Sequence, residues 1–241
     1  MRFIIMHKTN AHWEAGAIPS RELIGRVGAL LGELTKANAL HGAEGLRASS
    51  EGVRLKFAEG SRTIAKGPFP GKNELPAGFS ILRAGSVEQA IDWASREAEV
   101  LGDVEIDIRP VTEPWDIGMM PKPESMSTRR YMVLRKATAV SEGDTPPAPA
   151  QQMEMSRLID EAAHAGMHVT TVNMRPSARG RRYKNAQSGI SVTDGPFAES
   201  KELIAGYIII SAESLDDAGR WATRYMNVVE ADEVDLRELA T

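Results

Sequence analysis

Phe3 to Met6 form an unbroken apolar run inside segment 2–8, which predicts a short strand covered on both faces. Pro19-Ser20 then opens a stretch in which Leu23, Val27, Leu30, Leu31 and Leu34 return at the spacing of one helical face. Residues 21–37 therefore read as an amphipathic helix that stops at Asn38. A second strand follows at 40–46, interrupted by Gly42 and Gly45. Residues 53–57 and 62–65 alternate on either side of Ala58-Glu59-Gly60-Ser61, the pattern of a hairpin. Gly78 to Leu82 reads as the next strand. Ser86 with Gln89 forms a capping box for a helix through Ala90, Ile91 and Ala94, and Val104 to Arg109 closes the series as a strand.

The same order then starts again. Between Thr112 and Ser127, Pro114, Pro121 and Pro123 interrupt any period, the mark of a linker. Arg130 to Lys136 restates the first strand. Asp144-Thr145-Pro146-Pro147 precedes a helix carrying Met155, Leu158, Ile159 and Ala162, and Tyr207 to Ile210 reads as a buried strand. Gly67 and Gly195, Phe69 and Phe197, and Trp93 and Trp221 are each 128 positions apart. Roughly 30 residues are identical at that offset without a gap, a repeat of domain length. Two domains are expected, 1–112 and 129–241, joined by a linker at 113–128. Each half reads β-α-β-hairpin-β-α-β, the ferredoxin-like split βαβ with an inserted hairpin, which makes the fold class α+β. Such a sheet has helices on one face only. Two fused copies can cover each other's second face as a pseudo-twofold dimeric α/β barrel, either a monomer with an internal pseudo-dimer or a homodimer.

Composition narrows the partners. With 42% hydrophobic and 26% charged residues the chain is globular in class, and a net charge of −4 supplies no field to recruit nucleic acid or an anionic membrane. The absence of cysteine excludes disulfides, thiolate metal sites and cysteine nucleophiles, and fits a cytoplasmic location. Phe3 to Met6 is too short for a signal sequence or a membrane span. No Gly-x-Gly-x-x-Gly, Gly-Lys-Ser/Thr or Gly-x-Ser-x-Gly pattern occurs, so no cofactor is expected.

The run Asp194-Gly195-Pro196-Phe197-Ala198-Glu199-Ser200-Lys201-Glu202 with Gly206-Tyr207 resembles the signature of the YCII-related, or DGPF, domain family. Glu44-Gly45-Leu46, Val104 to Val111 and Ser214-Leu215-Asp216-Asp217-Ala218 before Trp221 extend the resemblance to nearly the whole chain outside the linker. It implies ferredoxin-like domains that dimerise as an α/β barrel with a cleft between sheet and loops. Some relatives are dehydrochlorinases or His/Asp acid–base enzymes, but the histidine they carry early on the first helix has no counterpart in 21–37 or 151–163. The first half has Lys66 where the second has Asp194, which makes the second half the better candidate for a working site.

Asp194 at the lip of the turn reads either as a general base or as a cap on the Gly-Pro turn. Arg175 and Arg182, with their copies Arg47 and Arg54, offer guanidinium forks suited to a carboxylate or phosphate ligand; exposed hairpin arginines are the plainer reading. His7 and His12 stand at the end of the first strand, where clefts often open. His164 and His168 are four apart, but Gly166 ends the helix between them and no third ligand follows, so no metal site is expected. The expectation is a small-molecule cleft for a polar or anionic organic ligand, with cofactor-free elimination or isomerisation if it turns over. The alternative is a non-catalytic interaction or regulatory module linked to transcription machinery, since related domains accompany sigma factors.

Overall fold

The computed structural model describes residues 1–71, 74–102, 104–143, 145–187, 189–197 and 200–240. Among these lie six α-helices and two six-stranded antiparallel sheets, a mixed α+β structure. The order begins β1 (Arg2–Lys8), α1 (Ala11–Glu14), α2 (Arg21–Lys36), β2 (Leu40–Gly45), β3 (Val53–Ala58), β4 (Ser61–Lys66), β5 (Pro76–Ala84), α3 (Val87–Leu101) and β6 (Val104–Pro110). It continues β7 (Arg129–Lys136), α4 (Ala139–Glu142), α5 (Pro149–His164), β8 (His168–Asn173), β9 (Gly180–Ala186), β10 (Gly189–Asp194), β11 (Ile204–Ser211), α6 (Leu215–Val228) and β12 (Glu233–Glu238).

Local chemistry sets most of these bounds. Ser20, Ser86 and Ser214 each accept the N–H three residues on, satisfying one orphan donor at the starts of α2, α3 and α6. The expected capping box at Ser86 is only half formed, because the Gln89 side chain accepts from the N–H of Gly85 at 2.9 Å. Pro149 starts α5, where its missing N–H costs nothing. Glu59 and Gly60 both take positive φ, as the two-residue turn between β3 and β4 requires.

The chain forms two compact units: Met1–Leu46, Gly71–Glu74 and Met174–Thr241 make the first, Arg47–Pro70 and Leu75–Asn173 the second. This cut differs from the division at 113–128 expected from the repeat. The first unit's sheet has the order β10-β9-β12-β1-β11-β2, and the second's is β4-β3-β6-β7-β5-β8. In the first unit the crossovers β1-α2-β2 and β11-α6-β12 interleave, each leaving a gap that one strand of the other fills. In the second, β5-α3-β6 and β7-α5-β8 do the same. Each sheet thus combines one βαβ from the first half of the sequence with the other βαβ and the hairpin from the second, or the reverse. The expectation that each half closes its own sheet is corrected on this point.

The segment read as an interdomain linker joins β6 to β7, which are antiparallel neighbours in one sheet. Two carboxylates pin it: Glu113 takes Nε and Nη2 of Arg130 at 2.9 Å each, and Asp116 pairs with Arg129.

In the first unit Phe3, Ile5, Leu30, Leu34, Ile208 and Met226 pack as one cluster between sheet and helices. Leu34 is wholly buried, so truncating it to alanine is worth about 2–5 kcal/mol. The second unit packs Leu55, Leu82, Ala94, Ile106, Val133 and Leu158 in the same way.

Candidate functional site

The turn Gly195-Pro196-Phe197 follows β10, and the same three residues at Gly67-Pro68-Phe69 follow β4; Ala198 and Glu199 of the signature lie outside the described residues. A Cβ on Gly195 would stand 1.8 Å from the carbonyl oxygen of Ser177, and one on Gly67 1.8 Å from that of Ser49. Only glycine lets the backbones approach this closely. The same serines hold the turn by their side chains: Ser177 Oγ accepts the Phe197 N–H at 3.0 Å, and Ser49 Oγ accepts that of Phe69 at 3.2 Å.

The phenylalanine rings support arginines. The guanidinium carbon of Arg182 lies 4.6 Å from the centre of the Phe197 ring, and that of Arg54 4.5 Å from Phe69. Each arginine then reaches a buried carboxylate with two donors. Arg182 meets Asp235 at 2.7 and 3.0 Å, and Arg54 meets Asp107 at 2.6 and 2.8 Å. A lysine completes each cluster, Lys8 on Asp235 at 2.7 Å and Lys136 on Asp107 at 2.9 Å. Lys8 Nζ also donates to Ser200 Oγ of the signature run at 2.9 Å. The signature is therefore a scaffold for a buried Lys–Asp–Arg cluster in each unit.

Electrostatics follow from this packing. Burial pushes the Asp235 carboxyl upward, but Lys8 and Arg182 outweigh it and hold the group below the usual carboxylate range. Asp107 behaves likewise between Arg54 and Lys136. Stripping water from such groups costs several kcal/mol per ion, which only complete pairing offsets.

His7 ends on the opposite face of β1 from Lys8, one residue on in a strand. Its Nδ1 lies 2.9 Å from the Tyr225 hydroxyl, and the loss of hydration in this half-buried place lowers its pKa to about 4, with the Gly206 backbone opposing. Burial raises the Tyr225 phenol well above its usual range. Gly206 is needed here, since a Cβ would come within 2.7 Å of His7 Cε1. The matching place in the second unit holds an ion pair: Arg135 Nη1 meets Glu97 at 2.9 Å, and Nη2 meets Asn173 Oδ1 at 2.7 Å.

Of the residues singled out from sequence, Arg54 and Arg182 enter the clusters. Arg47 pairs with Glu51 at 2.7 Å, while its carbonyl accepts from buried Arg109 at 3.1 Å. Arg175 offers its carbonyl to Arg237 in the same manner. Asp194 stands outside the clusters: its side chain is 77% exposed and meets Arg181 Nε at 2.8 Å, while Arg181 also holds Asp216. His164 binds the Asp160 carbonyl and His168 sits on β8 against Thr171, so the two do not share a helix. Among the described residues no group of three or more His, Asp or Glu is placed to hold a metal. Lys8, Lys136, Ser49 and Ser177 were missed from sequence, although identity at the offset of 128 marks all four.

A depression of about 190 Å³ between α3 and α5 is lined by Asp92, Trp93, Arg96, Glu161, Ala165 and Met167. Arg96 stacks on Trp93 and pairs with Glu161 at 2.6 Å. In the first unit Arg224 meets Trp221 and Glu33 in the same way, so this contact clasps two helices in both places.

Residues 130–238 match the model of the YCII-related domain family, a stretch that runs through parts of both compact units. Comparison with curated proteins and with solved structures finds no significant match. No helix among the described residues is long and apolar enough to cross a membrane.

Proposed function

We propose that, with residues 130–238 a YCII-related domain, residues 1–112 are a second copy and the fused pair binds a small polar or anionic organic molecule. The interleaved crossovers in each sheet support a ferredoxin-like reading of both copies, and the repeat at 128 supports duplication. The observation that carries the binding reading is the Lys8–Asp235–Arg182 cluster, which the signature run assembles in the first unit. Of the three N–H donors of the Lys8 ammonium, Asp235 and Ser200 take two, and the third is assigned to an oxyanion of the ligand. Where turnover follows, it is cofactor-free proton transfer with Asp194 as base.

A thermal-shift screen of small carboxylic acids and phenols tests this. A ligand at about 100 times its Kd adds about 2.7 kcal/mol to stability. Lys8→Met is expected to remove that shift, and Asp194→Asn to remove turnover while leaving the ligand shift and the melting point within about 2 °C. A ligand shift that survives Lys8→Met would sink the reading.

The exposure of Asp194 and its pairing with Arg181 favour a second reading, an interaction or regulatory module without turnover. An Asp194→Asn variant equal to wild type with every ligand found supports it.

A further inference from the structure

Positions 128 apart occupy equivalent places in the two sheets, so the chain has a second way to build them. Each half can close on itself, with β1 beside β5 and β6 instead of β11 and β12. The ion clusters do not choose between these pairings. Lys8 and Lys136, Asp107 and Asp235, and Arg54 and Arg182 are identical at the offset, so either arrangement completes both clusters.

The choice must rest on buried positions at which the halves differ and which meet across the exchange. Two positions fit. Position 7 is histidine where 135 is arginine, and position 97 is glutamate where 225 is tyrosine. As folded, the histidine meets the tyrosine and the arginine meets the glutamate. Closed on themselves, the halves would set Arg135 against Tyr225 and His7 against Glu97. A buried guanidinium would then lose its carboxylate, and Asn173 on β8, from the same half as Arg135 on β7, carries no charge to replace it.

We propose that the unlike pairs His7–Tyr225 and Arg135–Glu97 are the key that fixes the exchanged pairing of the two halves, by making the self-closed alternative electrostatically mismatched. The mismatch of one buried charge biases the equilibrium by roughly 100-fold or more.

The chain has no cysteine, so engineered disulfides read the topology directly. Arg2 lies opposite Ser211, whose N–H points away to Ala39, which makes the two a close pair suited to a disulfide. Arg83 is the position equivalent to Ser211 in the first half. In the wild-type background Arg2→Cys/Ser211→Cys is expected to form an intramolecular disulfide, and Arg2→Cys/Arg83→Cys is not. Adding His7→Arg and Arg135→His reverses the key. The 2–83 bond should then gain at the expense of the 2–211 bond, or the melting point should fall by roughly 10 °C. Adding Glu97→Tyr and Tyr225→Glu as well rebuilds matched pairs in the exchanged arrangement, and should restore both the 2–211 bond and the melting point. The proposal is overturned if the first reversal leaves crosslinking and stability unchanged, if the fourfold variant recovers neither, or if the 2–83 bond forms in the wild-type background. A twofold variant that does not fold is decided by the fourfold one: recovery supports the key, and no recovery overturns it.

Discussion

Asp235→Asn keeps the shape of the side chain at the centre of the first unit's cluster and removes its charge. In the protein this carboxylate, buried to 0% exposure, accepts two hydrogen bonds from Arg182 and one from Lys8. An asparagine offers one acceptor oxygen, and its NH2 must face a cation. Arg182 still has Glu233 at 3.2 Å, but Lys8, with its side chain 3% exposed, keeps only the Ser200 hydroxyl. The loss is therefore that of a buried cation stripped of its counter-charge, about 3–5 kcal/mol. Against a total of about 5–15 kcal/mol this is a large share, and for a chain of this length it lowers the melting point by roughly 10–15 °C.

Urea unfolding at pH 7 measures it, with exposed Asp216→Asn as a control expected within about 1 kcal/mol of wild type. The double variant Lys8→Met/Asp235→Asn should recover much of the loss, because the stranded cation is gone. The pH dependence has a defined sign. The folded carboxyl titrates below its unfolded range, so its contribution is complete above that range and is lost as pH falls through the folded value. Asp235→Asn should flatten that part of the acid profile. An Asp235→Asn midpoint equivalent to a loss under about 1 kcal/mol, or a double variant no more stable than the single, would refute the cluster's role.

Gly195→Ala is expected to cost more than about 2 kcal/mol, because its methyl overlaps the Ser177 carbonyl and the turn must move off Arg182; differential scanning calorimetry against Gly60→Ala, where the surrounding space is open, separates overlap from backbone strain. His7 is neutral when folded and takes a proton near its ordinary value when unfolded. Its contribution is therefore complete above about 6.5 and declines toward pH 4, by about 3 kcal/mol in all, and His7→Gln should remove that slope from stability measured between those limits.

Helices and strands were largely legible in the chain, since Leu23 to Leu34 carry the helical period and Phe3 to Met6 the strand run that the structure buries. Arg54, Arg182 and the glycines of the two Gly-Pro-Phe turns were marked in the chain by their repetition. Their physical task was not. Stacking on phenylalanine and bonding a carboxylate 53 residues away along the chain are long-range relations that no local period records. Asp194 drew attention because it stands in a distinctive run, yet β10 carries it to an exposed edge beside Arg181.

Sequence alone determined the elements, their order, their buried faces and the recurrence at 128 positions, because hydrophobic period and turn residues act over a few neighbours. Which strand each element pairs with was decided only in three dimensions. Two halves with the same order of elements present a similar local pattern to either partner, so periodicity is blind to the choice between β5 and β11 for β1. Contacts such as Lys8 with Asp235 and Arg135 with Glu97 exist only once segments from both halves have met and excluded water.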